Sequence, residues 1–175
     1  MSHSKIKRSS TAVVAAGALC LSAALFTGAR NANAQSPTHI QNARSPIATA
    51  VWAGNLLFIS GTAPSPVTPA DRAKGTAAVY GDTKTQTVSV LGKIEATLKE
   101  QGLTMGDVVM MHVYLVGDPA NQGKMDFAGM NAGFTQFFGT DAQPNKPART
   151  TLQIAALVGG GALVEIDAVA AKPAK

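Results

Sequence analysis

The chain has 175 residues, 46% of them hydrophobic, which suffices for one domain with a proper core and is too short for two comfortable ones. Its formal charge of +5 is unevenly placed: residues 1–34 hold Lys5, Lys7, Arg8 and Arg30 and no acid, so the other eleven basic residues face ten acidic ones, a net +1. A body so near neutrality carries no electrostatic footprint for nucleic acid.

The first 34 residues have the parts of a secretory signal peptide. Lys5-Ile6-Lys7-Arg8 is a positive start, residues 11–26 are small and apolar, and Ala32-Asn33-Ala34 is an A-x-A cleavage site that leaves Gln35 first. A membrane anchor fits less well, because the apolar run is short and alanine-rich for spanning. The one cysteine, Cys20, lies inside that run, so the processed chain has no disulfide, no thiolate chemistry and no cysteine metal site. The expectation is an exported protein, periplasmic or secreted, free of the membrane once the leader is cut.

Residues 35–45 are polar and contain Pro37, which predicts a loose segment before a single domain over 46–172. Alternation begins at Ala48-Thr49-Ala50-Val51-Trp52; Ala53-Gly54-Asn55 reads as a turn into Leu56-Leu57-Phe58-Ile59-Ser60-Gly61, giving a first β-hairpin. Residues 62–80 are rich in Pro, Ala and Thr without a clean period, a long loop that either covers a pocket or decorates its rim. Asp82 is then a fitting N-cap for a helix with Val88, Leu91, Ile94 and Leu98 on its apolar stripe and Gly102 as its stop.

Residues 108–116 are nearly all apolar or β-branched, as in a strand buried on both faces. His112 falls within it, on the side of Met110 and Tyr114; without a second ligand at suitable spacing it reads as packed or locally hydrogen-bonded rather than metal-binding. A polar loop follows over 117–124. Asp126 caps a second helix with Phe127, Met130, Phe134 and Phe137 or Phe138 buried and Gly139 at its end, while Asn131 sits one residue off the stripe.

The last stretch is the most informative. Pro147-Ala148-Arg149-Thr150-Thr151-Leu152-Gln153-Ile154 and Ala162-Leu163-Val164-Glu165-Ile166-Asp167-Ala168-Val169 alternate on either side of Gly159-Gly160-Gly161, which reads as a hairpin or as two neighbouring strands joined by a loop. Period 2 groups Arg149, Thr151 and Gln153 against Thr150, Leu152 and Ile154, and Val164, Ile166 and Ala168 against Glu165, Asp167 and Val169. If both apolar sets meet one core, Arg149 and Glu165 share the polar face. There they form either an ordinary cross-strand pair or a site that holds a small anion and activates water. The order β-β-α-β-α-β-β places two helices on one face of a mixed sheet, an α+β domain. Its other face, with Arg149, Thr151, Gln153, Glu165 and Asp167 among apolar neighbours, calls for a partner.

Four blocks resemble the reactive-intermediate deaminase (RidA, YjgF-like) family: Gly54-Asn55-Leu56-Leu57-Phe58-Ile59-Ser60-Gly61; Thr85-Gln86-Thr87-Val88-Ser89-Val90-Leu91 with Gln101-Gly102-Leu103; Asp126-Phe127-Ala128-Gly129-Met130-Asn131; and Pro147-Ala148-Arg149-Thr150-Thr151 with Gly161-Ala162-Leu163-Val164-Glu165-Ile166-Asp167. The resemblance covers about residues 43–170. It implies a chorismate-mutase-like fold, a homotrimer with the sheets facing inward, and hydrolysis of enamines and imines such as 2-aminoacrylate and 2-imino acids to 2-keto acids and ammonia.

The resemblance further implies Arg149 as carboxylate clamp and Glu165 as water-positioning acid/base, with Ser60, Gly61, Asn131 and Thr151 lining the substrate. A guanidinium grips a planar carboxylate bidentately, and a carboxylate can orient water and move protons. The substrate brings its own electrophile, so no metal or organic cofactor is implied, nor any nucleic-acid partner. Two positions depart from the family's pattern: Ile47 stands where a tyrosine is usual, and Thr151 where many members have cysteine. Ile47 favours the alternative of a non-catalytic trimer that binds a small carboxylate in the same cleft; the Arg149 and Glu165 pair favours the enzyme.

Overall fold

The computed structural model describes residues 36–158 and 160–173; the leader expected over 1–34 lies outside them. Six strands and two helices follow in the order β1 (Thr38–Ile40), β2 (Ala50–Ala53), β3 (Leu56–Thr62), α1 (Thr83–Glu100), β4 (Val108–Val116), α2 (Phe127–Phe134), β5 (Ala148–Ile154) and β6 (Val164–Ala171). The strands form one mixed sheet in the order β1-β2-β3-β6-β4-β5, antiparallel throughout except for parallel β4 and β5. The expected α+β domain is therefore present, with one extra strand. That strand lies in the segment read as loose, where Thr38–Ile40 pairs with Ala50–Trp52.

The connectivity corrects the sequence-based reading of the C-terminal stretch. β5 and β6 are not a hairpin and not neighbours, because β4 lies between them. The β4-α2-β5 unit is a parallel crossover, so β5 sits at the sheet edge and its chain must pass β4 before β6 can pair with both β4 and β3.

The core lies between the two helices and one face of the sheet. Met111, Val113 and Leu115 of β4 and Val164, Ile166, Ala168 and Ala170 of β6 meet Val90, Leu91, Ile94 and Leu98 of α1 and Met130 and Phe134 of α2. Fully burying such a side chain contributes on the order of 1.5–3 kcal/mol. In α1 the buried stripe uses Val90, with Val88 only half-buried, and it takes in Thr87 and Gln86. Both polar groups are satisfied, Thr87 donating to the Thr83 carbonyl and Gln86 bonding Gly81, Leu163 and Gly161. Gly133 lets α2 approach α1 closely, since a β-carbon there would crowd Thr87 and the Lys84 carbonyl.

The expected caps are in place. Asp82 accepts from the Thr85 amide at 2.8 Å, and Asp126 from the Gly129 amide at 2.8 Å. Two expectations of burial are not met: Phe127 is 43% exposed, and β4 is buried on the helix side only, its other side being half-exposed. The loop over 62–80 folds back on itself through pairings of Thr68 with Val79 and Asp71 with Thr76.

Candidate functional site

Register decides which face each functional side chain leaves from. Met111 pairs with Arg149 and Val113 with Thr151 across β4 and β5, and Met111 and Val113 are core residues. Arg149 and Thr151 therefore leave the sheet on the helix-covered side. Tyr114 pairs with Glu165 and His112 with Asp167 across β4 and β6, which places those four on the open side. Arg149 and Glu165, expected on one polar face, stand on opposite faces. The period-2 grouping within each strand is correct; the assumption that Thr150, Leu152 and Ile154 face the core is not. At the edge beside β4, Leu152 is instead 52% exposed on the open side.

On the covered side, the Arg149 guanidinium lies 4.4 Å from the centre of the Phe134 ring and 5.8 Å from that of Phe127. Its Nη2 donates to Asn131 Oδ1 at 2.8 Å, and Nη1 stands 3.7 Å from Met130 Sδ. Helix α2 supplies all four contacts: Met130 and Phe134 face inward, and Asn131, one position off their stripe, reaches the guanidinium from the side. Burial pushes the Arg149 pKa down from its usual value, and among the described residues no carboxylate lies within ion-pair distance of it. Beside it, Thr151 Oγ1 is buried without a hydrogen-bond partner. A cation and a hydroxyl stand together with unused hydrogen-bonding capacity, which is what a planar carboxylate needs.

On the open side, β3 shifts register between Ile59 and Thr62, and Gly61 lies in that irregularity against the Glu165 carboxylate, with no room for a β-carbon. Ser60 Oγ donates to the Ala48 carbonyl at 2.7 Å, tying β3 to the segment before β2. Where β3 ends beyond this bulge, an open cavity of about 260 Å³ is lined by Ile47, Thr49, Ser60, Gly61 and Thr62 among others, and by Lys93 of α1, which reaches it from the helix-covered side. The expected residues thus assemble in two groups: Arg149, Asn131 and Thr151 on one side, Ser60, Gly61 and Glu165 on the other.

Sequence reasoning missed part of the open side. Asp167 Oδ1 lies 2.7 Å from His112 Nδ1, and Oδ2 accepts from the Tyr114 hydroxyl at 3.1 Å. Burial, this hydrogen bond and the nearby Asp167 and Glu165 charges push the Tyr114 pKa up from 10.0. The local hydrogen-bonded role expected for His112 holds, and strand parity carried the signal for the cluster. Lys93, by contrast, had no signal, since a single lysine on a helix is ordinarily a solvated one.

The family described as Endoribonuclease L-PSP matches residues 33–172. This chain belongs to that family, the YjgF/RidA group. A RutC family protein of Pyrococcus horikoshii is 37% identical over 135 residues, 75% of this chain and 94% of the relative. Another from Haemophilus influenzae is 34% identical over 127 residues, 73% and 87% of the two chains. Among solved structures, TdcF of E. coli with bound serine superposes with a TM-score of 0.59 at 26% identity, covering 78% of this chain and 99% of the other. A YjgF family member from Neisseria meningitidis gives 0.58 at 26% identity, covering 79% and 97%. Family membership accords with the mixed sheet under two helices.

Proposed function

We propose that the protein hydrolyses reactive 2-imino acids and their enamine tautomers to 2-keto acids and ammonia, at a site completed where two copies of the chain meet. The observation that carries this is the Arg149 guanidinium, half-buried, stacked on Phe134, steadied by Asn131 and lacking a carboxylate partner among the described residues. A desolvated cation so placed favours an anionic ligand, and Thr151 Oγ1 beside it is free to donate a hydrogen bond.

Glu165 is on the opposite face of the same sheet, so one chain does not bring it to the Arg149 clamp. A second copy packed against the open face supplies the missing half. That face exposes Phe58 (43%) and Leu152 (52%) beside its polar cluster, and covering it removes apolar surface from water. Closed symmetric assemblies repeat such a contact at every subunit boundary, and a homotrimer with a site at each boundary fits this arrangement.

The chemistry needs few groups. An enamine first gains a proton at C3 and loses one from nitrogen, which makes it the imine. The substrate carboxylate lies on Arg149 and Thr151. Glu165 accepts a proton from water as the water oxygen bonds to C2 and the imine nitrogen takes up a proton, giving a carbinolamine. Glu165, now protonated, gives its proton to the amine nitrogen, the C–N bond breaks with its electron pair on that nitrogen, and ammonia departs as the hydroxyl proton leaves and the C2=O bond forms. One water enters and one ammonia leaves, with no redox change, and Glu165 acts first as base and then as acid.

The serine held by TdcF is an amino acid bearing the carboxylate this reading assigns to Arg149. A second reading, a carboxylate-binding protein without turnover, is favoured by Ile47, which is 61% exposed at the cavity and offers no hydroxyl there. Keto-acid release from 2-iminobutanoate generated in situ by a dehydratase separates the two. Acceleration that vanishes in Arg149→Ala and Glu165→Gln supports the hydrolase; no acceleration by a folded assembly leaves binding as the function.

A further inference from the structure

The cavity beside Gly61 contains a group that the proposed reaction does not use. Lys93, on α1, is the one charged residue among those lining it. Its Nζ donates to the Ala63 carbonyl at 2.8 Å, just past the end of β3. That tether holds the ammonium at the cavity and leaves two of its three protons for a ligand.

Three of the four hydroxyls lining the cavity are committed, the fourth being that of exposed Thr49. Ser45 donates to the Ile47 carbonyl, Ser60 to that of Ala48 and Thr62 to that of Ser60. Lys93 is therefore the charged donor of a cavity whose other walls are largely committed or apolar. The Glu165 carboxylate stands just beyond Gly61 and would repel an anion entering here; a cation at Lys93 offsets that repulsion.

We propose that Lys93 makes this cavity a subsite for a second acidic group on the substrate, and that the preferred substrates are 2-imino dicarboxylates. The proposal rests on the hydrolase reading above: Arg149 takes the carboxylate next to the reacting carbon, Glu165 serves that carbon, and Lys93 takes the distal carboxylate. A substrate with one carboxylate leaves Lys93 without a partner, whereas a short dicarboxylate spans the clamp and the cavity with its methylenes against Ile47.

The test compares 2-iminoglutarate with 2-iminopropanoate, each generated by an amino-acid oxidase, on the full assembly of the wild type, Lys93→Gln and Lys93→Arg. The expected kcat/KM favours 2-iminoglutarate by about tenfold, the range of a hydrogen bond to a charged group. Lys93→Gln collapses that preference, chiefly through KM, and Lys93→Arg restores it. Calorimetric binding of the products, 2-oxoglutarate against pyruvate, reads the same preference without turnover. Hydrolysis with no preference, or with a preference indifferent to Lys93→Gln, overturns the subsite and leaves the hydrolase standing. Binding of 2-oxoglutarate that Lys93→Gln abolishes, without hydrolysis of either imine, overturns the hydrolase and retains the subsite. Neither turnover nor selective binding overturns both.

Discussion

The Glu165 carboxylate fills the space that a β-carbon on residue 61 would occupy. The crowded atoms are the far end of a flexible side chain, so the cheapest response to Gly61→Ala is for Glu165 to swing away. The expected stability change is small, within about 1 kcal/mol, whereas hydrolysis should fall by at least roughly a hundredfold because the base leaves its position. Urea unfolding and keto-acid release measured on the same preparation check this. Retained activity with a stable fold would remove Glu165 from the proposed mechanism.

Arg149 is held as a plane, with Phe134 beneath it and Asn131 at its edge. Arg149→Lys keeps the charge and loses the planar fork, so carboxylate binding should weaken by about tenfold or more. Stability should drop by roughly 1 kcal/mol from the lost stacking and hydrogen bond. Calorimetry with a 2-keto acid and a denaturant melt report the two effects separately. Equal affinity in the lysine variant would mean that the guanidinium geometry does not matter to the ligand.

The Asp82 pKa is lowered, first by its hydrogen bond with Thr85, so this cap contributes stability above its unfolded pKa that is lost as the pH falls through the lower folded value. Asp82→Ala should cost about 1 kcal/mol at neutral pH, and the variant's stability should fall less steeply than the wild type's below pH 3.8. Asp82→Asn should keep most of the neutral-pH stability while flattening the acid limb. Denaturant melts across the acid range decide it; parallel curves for wild type and Asp82→Ala would refute the assignment.

Tyr114 shows the opposite sense. With its pKa raised above 10.0, chiefly by burial, the folded chain holds the phenol proton longer than the unfolded chain does. Stability should therefore decline as pH rises from 10.0 toward the higher folded value. Tyr114→Phe should lose that decline, and the tyrosine absorbance titration of the wild type should contain a late phase absent from the variant. A wild-type titration without the late phase would contradict the shift.

How much of this was legible in the sequence depends on whether the signal was local. Asp82 and Asp126 declare their helices through side-chain chemistry acting three residues away, and the turn at Gly54-Asn55 sets β2 against β3. Alternation grouped the residues of β5 and of β6 correctly, because the period of a strand is a property of its own backbone. Which group met the core was not local. It was set by β4 inserting between β5 and β6, a pairing between residues such as Met111 and Arg149 that no spacing in the chain records. Thr38–Ile40 was missed for a related reason: three residues are too few to show a period, and the pairing with β2 makes the strand. The contact between Arg149 and Asn131 came through the family resemblance, which pointed to both residues, and the geometry places them 2.8 Å apart.

The opposite faces of Arg149 and Glu165 yield the sharpest test of a shared site. In a variant lacking Arg149 every chain still offers Glu165, and in one lacking Glu165 every chain still offers Arg149. If each site draws Arg149 from one chain and Glu165 from its neighbour, co-expressing Arg149→Ala with Glu165→Gln recreates intact sites at boundaries where the right halves meet. In a closed trimer every mixed assembly has one boundary in three where the right halves meet, so the mixed assemblies should recover roughly a third of wild-type keto-acid release, although each variant alone is inactive. Separately tagged chains purified in tandem ensure that only mixed assemblies are measured. A site built within one chain permits no such recovery, because every chain then lacks one of the two groups. Inactive mixed assemblies would place the whole reaction within a single subunit, or nowhere, and the open face of the sheet would need a different occupant.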